Sequence, residues 1–271
     1  MTYRTILAII QNEDEAAGLI DNAIGLARKF DAHLIGFHSE PVQVAYAAAA
    51  GFPDAEFIRT TTEMGIERSK RIAGLFGGKT REAGISAEWG TPEGEAPSDM
   101  SLAHSVDLIL AAQPRQDGPD DDLADVDNLL YEAGRPVLVL PRAKPCPAEF
   151  RRIVVGWNGT KQAARAVFDA LPLLTAAESV ELLVVGRSST DRDVGAVVSA
   201  TLKRHGVPVE LARETSDGLS VEEALANRVA AIDADLLVLG AYGHSWLREF
   251  LFGGVTRQLL KNCPVATLLS H

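Results

Sequence analysis

Leu236-Leu237-Val238-Leu239-Gly240-Ala241-Tyr242-Gly243, followed after nine residues by Gly253-Gly254-Val255-Thr256, decides how this chain is read. The unbroken apolar run is that of a strand covered on both faces, as in a parallel sheet. Glycines at its end allow positive φ and tight turns, and let a ligand come close. The Gly253-Gly254 pair opens a second helical pattern. A helix beginning at Val255 or Thr256 would aim free N–H groups and its positive end into the crevice beyond the strand, a setting suited to phosphate.

Working outward, the same unit occurs twice. Tyr3–Ile10 matches Phe150–Trp157, and Val106-Asp107-Leu108-Ile109-Leu110 matches Ala234-Asp235-Leu236-Leu237-Val238. Each half closes on a proline-led strand, Pro136–Leu140 and Pro264–Leu268. The period suits a duplicated domain rather than a solenoid repeat. Pro141-Arg142-Ala143-Lys144-Pro145-Cys146-Pro147 reads as a short stiff linker between domains 1–141 and 150–271. Strands are expected near 151–157, 180–185, 207–212, 235–239 and 264–269, separated by helical patterns. One helix is expected over 160–175, capped by Thr160, with Ala163, Val167, Ala170, Leu171 and Leu174 on one face. Strand–helix alternation predicts an α/β fold of two Rossmann-like domains, each a five-stranded parallel sheet flanked by helices. Ligands then belong beyond the carboxyl ends of the strands, in the loops after strands one and four of each half.

Composition narrows the function. With 271 residues and 46% apolar content, each half can bury a core. The net charge of −11 argues against nucleic acid as a partner. There is no run long enough to span a membrane, and the amino-terminal stretch goes straight into a strand pattern without a leader layout. Cys146 and Cys263 read as reduced thiols, and the six histidines show no metal-ligand spacing. No acid–base pair or nucleophile elbow appears, which favours a binding module over an enzyme.

The spacing Gly240-x2-Gly243 followed by Gly253-Gly254 resembles the nucleotide motif of the universal stress protein family, Gly-x2-Gly and then Gly-Ser/Thr. One position departs: Gly254 stands where the family's ATP binders carry Ser or Thr, a loss of one phosphate hydrogen bond worth about 1 kcal/mol. The resemblance covers both halves. It implies two domains of the adenine nucleotide alpha-hydrolase kind, in a cytoplasmic stress-response protein whose second half holds ATP, with or without Mg²⁺ and slow hydrolysis. On that pattern Asn158, in the loop Gly156-Trp157-Asn158-Gly159-Thr160, replaces the family's Asp and reads the adenine edge. Val185 packs on the base, Leu239, Gly240 and Gly243 flank the ribose and α-phosphate, and Gly253, Gly254, Val255 and Thr256 cradle the polyphosphate. It also implies that strands 136–140 and 264–269 pair within one chain as a pseudo-dimer, and that full chains can pair again as a homodimer.

The first half has lost the motif. Aligned on the terminal strands, Ala112 replaces Gly240, Arg115 replaces Gly243, and Asp125 and Val126 replace Gly253 and Gly254. Acidic residues between 117 and 127 repel phosphate and are read as a solvated run rather than a cation site, so no ATP site is expected there. Ala73–Thr80 fits a relaxed Walker A pattern but follows a helical segment. Its Gly77-Gly78 is therefore read as a helix end, with Lys79 complementing the dipole. The rival readings are a nucleotide-free scaffold of the same fold and an adenylating enzyme. The latter is disfavoured because the loop 157–160 is short and lacks serine.

Overall fold

A computed structural model describes residues 2–39, 55–90, 99–114, 121–142, 146–147, 149–186, 195–215, 218–241 and 263–271. In the first half the elements are β1 (Thr5–Ile10), α1 (Glu13–Phe30), β2 (His33–His38), α2 (Ala55–Ala83), β3 (Ala87–Trp89), α3 (Asp99–Ala103), β4 (Leu108–Ala112), α4 (Asp121–Glu132) and β5 (Val137–Leu140). The second half contains β6 (Arg152–Gly156), α5 (Lys161–Asp169), α6 (Leu171–Leu174), β7 (Ser179–Gly186), α7 (Ala196–Arg204), β8 (Val209–Thr215), α8 (Val221–Ala231), β9 (Leu236–Gly240) and β10 (Ala266–Ser270).

The strands form one ten-stranded sheet in the order β3-β2-β1-β4-β5-β10-β9-β6-β7-β8. Each half is a five-stranded parallel array with the same winding, and among the described residues the two arrays join through the antiparallel pair β5–β10. Alternation within the apolar strands explains why they read as continuous. Ile6, Ala8 and Ile10 enter one core layer while Leu7 and Ile9 enter the other, and Leu236 and Val238 divide from Leu237 and Leu239 in the same way. α1 and α5 cover the first layer, and α4 and α8 cover the second.

The two halves are alike in detail as well. Asp107 Oδ2 accepts from the main-chain N–H groups of Arg4 and Thr5 at 2.8 and 3.0 Å. Asp235 Oδ2 accepts from those of Arg151 and Arg152, both at 2.8 Å. Strand register defines the equivalence further. Ile109 pairs with Val137 and Leu237 with Thr267, so Val137 is the counterpart of Thr267 and Leu138 of Leu268. Leu138 and Leu268 are themselves partners in the β5–β10 ladder, which places them on a local twofold axis.

That register corrects the sequence alignment of the terminal strands. Matching Pro136 to Pro264 is two residues out, because the connection before β10 is two residues longer than the one before β5. Counted back from the terminal strands, Leu123 and Ala124, rather than Asp125 and Val126, correspond to Gly253 and Gly254. All four residues lie within α4, where Val126 is fully buried.

Two helices also differ from expectation. The segment 160–175 divides into α5 and α6 at Ala170, with Pro172 in the first turn of α6, where a missing N–H costs little. Gly77-Gly78 is not a helix end. α2 continues to Ala83, and Gly84 (φ +64°) follows it. Lys79 pairs with Asp21 of α1 at 2.7 and 2.9 Å, and Thr80 Oγ1 donates to the Phe76 carbonyl, so both polar groups of the Walker-like stretch serve helix packing.

Candidate functional site

Strand β6 has β7 on one side and β9 on the other, so the winding of the second half reverses between β6 and β9. The loop after β6 leads into α5 there. Thr160 caps that helix, its hydroxyl accepting from Ala163 N at 3.3 Å and donating to Asn158 Oδ1 at 2.8 Å. Thr160 N also donates to Asn158 Oδ1, at 3.2 Å. Asn158 is exposed. With its carbonyl oxygen engaged twice, the group it offers outward is its amide NH₂, a donor, rather than a donor and an acceptor together.

The glycines have packing reasons of their own. A Cβ on Gly240 would lie 2.4 Å from both Ala163 N and Gln162 C, so α5 rests its first turn directly on the end of β9. A Cβ on Gly156 would meet Leu239 Cδ2 at 2.5 Å, the movable end of a side chain. Trp157 donates its main-chain N–H to the Leu183 carbonyl at 2.9 Å and packs half-buried on one core layer, while Val185 packs half-buried on the other. Thus Gly156, Trp157, Asn158, Val185, Leu239 and Gly240 gather at the carboxyl ends of β6, β7 and β9. Gly243, Gly253, Gly254, Val255 and Thr256 lie outside the described residues.

One contrast went unread in the sequence although it is written there. The first turn of α1 carries Glu13, Asp14 and Glu15, whereas the first turn of α5 has no acidic residue and begins with Lys161. Capped at Asn12 and Thr160, the two helices are equivalent, so Glu15 stands where Ala163 stands. Carboxylates in a first turn neutralise the positive helix end, and their absence leaves it open to an external anion. The charged residues in the two first turns are therefore opposite in sign: three carboxylates after β1, a lysine and no carboxylate after β6.

Residues 149–271 match the universal stress protein family. The matched segment thus coincides with the half whose first helix has no acidic residue in its first turn. Over nearly all its length the chain is also similar in fold to solved structures. A universal stress protein from Archaeoglobus fulgidus DSM 4304 superimposes with a TM-score of 0.73 at 14% identity, covering 98% of this chain and 95% of that one. A Pseudomonas aeruginosa UCBPP-PA14 protein assigned to the same family gives 0.55 at 17% identity, covering 99% and 93%. The cytoplasmic domain of a prokaryotic cation chloride cotransporter gives 0.53 at 10% identity, covering 98% and 94%. At these identities the likeness is one of fold. No curated protein sequence matches the chain.

Elsewhere in the described residues, chemistry-bearing groups are subdued. Burial pushes the Cys146 thiol up to about 12 and also raises that of Cys263, so neither is a ready thiolate. No group of three His, Cys, Asp or Glu able to hold a metal occurs among them, and none of their helices is long and apolar enough to cross a membrane.

Proposed function

We propose that the chain is a cytoplasmic stress-response protein that binds an adenine nucleotide in its second half and works as a sensor or regulator rather than as a catalyst. The observation that supports this most is the bare, Thr160-capped amino end of α5, with Lys161 in its first turn, beside the carboxyl end of β9. The ligand class follows from combining that end with the Gly240–Thr256 pattern. Asn158 would donate to a ring nitrogen of the base, Val185 would pack on it, Leu239 and Gly240 would border the ribose, and the glycine pair would hold the phosphates. ATP, with Mg²⁺ as its counter-ion, fits a site whose helix end carries no competing carboxylate. A bound nucleotide would act by its differential affinity for two states of the chain or of its partners.

A second reading has an observation of its own. Gly240 and Gly156 are explained by packing alone, as a nucleotide-free scaffold acting through protein partners would require. Protein purified without added nucleotide and then acid-extracted separates the two. The nucleotide reading expects adenine nucleotide at up to one per chain, and a protein that takes up none when incubated with ATP and Mg²⁺ would favour the scaffold.

A further inference from the structure

In the first half the equivalent corner is filled from within. Arg142, just beyond β5, donates its main-chain N–H to Gln113 Oε1 at 3.2 Å and its Nε–H to the Gln113 carbonyl. Its guanidinium pairs with Glu15 in the first turn of α1, and the two side chains are only 20% and 25% exposed. Gln113 is buried, and its Nε2 donates to the Cys263 carbonyl at 3.0 Å, which ties the cluster to a residue three positions before β10. Glu15 lies beyond the carboxyl end of β1 and Gln113 beyond that of β4, the adjacent strands between which the first half reverses its winding. This is where a parallel sheet receives its ligand.

The guanidinium is held partly out of water, and that burial pulls its proton affinity down. A desolvated cation needs a counter-charge, and losing the partner strands it. Arg142 Nη2 is buried and finds no hydrogen-bond partner among the described residues. The corner therefore has donor capacity to spare for an oxyanion.

We propose that Glu15 is a tethered anion occupying the first half's ligand crevice, and that the place it closes is an oxyanion site of the phosphate class centred on Arg142. Being part of the chain, the carboxylate competes at a high effective concentration and excludes free anions. Nothing in this depends on what the second half binds.

The test uses the full chain as wild type, Glu15→Gln and Glu15→Gln/Arg142→Gln, with inorganic phosphate followed by calorimetry and thermal unfolding. Any phosphate bound by the second half is common to all three proteins and cancels. Glu15→Gln is expected to bind phosphate at least about tenfold more tightly than wild type and to gain thermal stability as phosphate rises. The double variant is expected to lose both gains. If Glu15→Gln alone folds poorly, Arg142→Gln is expected to restore folding by removing the stranded cation. A folded Glu15→Gln protein that responds to phosphate as wild type does would overturn the proposal. So would a response that survives in the double variant, or single and double variants that are equally unfolded.

Discussion

Gly240 marks the difference between a residue that a ligand needs and one that the fold needs. Its missing Cβ admits the backbone of α5, which cannot swing aside as a side chain can. Gly240→Ala should therefore lower the unfolding free energy by about 1–3 kcal/mol in urea titrations. Gly156→Ala, which meets only the side-chain ends of Leu239 and Leu225, should cost clearly less; equal costs would refute the packing account. In the sequence Gly240 was legible as a site of close approach, but what approaches it was not, because α5 reaches β9 from a distant part of the chain. Asp169 supplies a second prediction. Burial raises its carboxyl above the usual range, against the pull of Ser270, Arg165 and Arg135. The folded state thus holds the proton more tightly than the unfolded one. That contribution is complete at acid pH, below the ordinary Asp value, and is lost as pH rises through the raised one. Asp169→Asn should gain stability over wild type as pH is raised across that window, in unfolding curves recorded at a series of pH values. A difference constant with pH would exclude Asp169 as the source.

Among the elements, α1 and α5 carry the functional contrast. The two occupy equivalent places in the two halves, yet one begins with three carboxylates and the other with none. Each has its own local reason to start where it does, and for α5 that reason is Thr160. Thr160→Ala should cost about 1 kcal/mol and also remove one of the two hydrogen bonds that hold Asn158 Oδ1, so that nucleotide affinity falls together with stability. The amphipathic pattern of 160–175 was readable in the sequence, and every apolar position assigned to its buried face is buried. The break at Ala170 was less visible because Pro172 is compatible with a first helical turn. α2 was misread for a related reason: paired glycines at 77 and 78 usually end a helix, but packing against α1, pinned by Lys79–Asp21 and Arg71–Glu13, carries the helix past them.

Across the chain, the parallel winding of both halves follows from strands that are apolar without alternation, and this much the residues declare. The exact twofold match of Leu138 with Leu268 does not follow from them, since prolines before each terminal strand suggest a different register. Backbone pairing, not side-chain type, sets that axis. An isolated second half, residues 149–271, would expose the β10 edge and should self-associate through β10 with Leu268 on the axis, as sedimentation would show. A strictly monomeric fragment would contradict the pairing logic. The central proposal is that the chain offers one open anion-binding crevice and one closed one. Its most direct test is calorimetric titration of ATP and Mg²⁺ into wild type and Lys161→Glu, a change on an exposed residue that gives α5 an acidic first turn while favouring the helix itself. The account predicts one micromolar site per chain in the wild type, weakened about tenfold in Lys161→Glu without loss of thermal stability. Two equal sites per chain, or an affinity indifferent to the charge at 161, would contradict it.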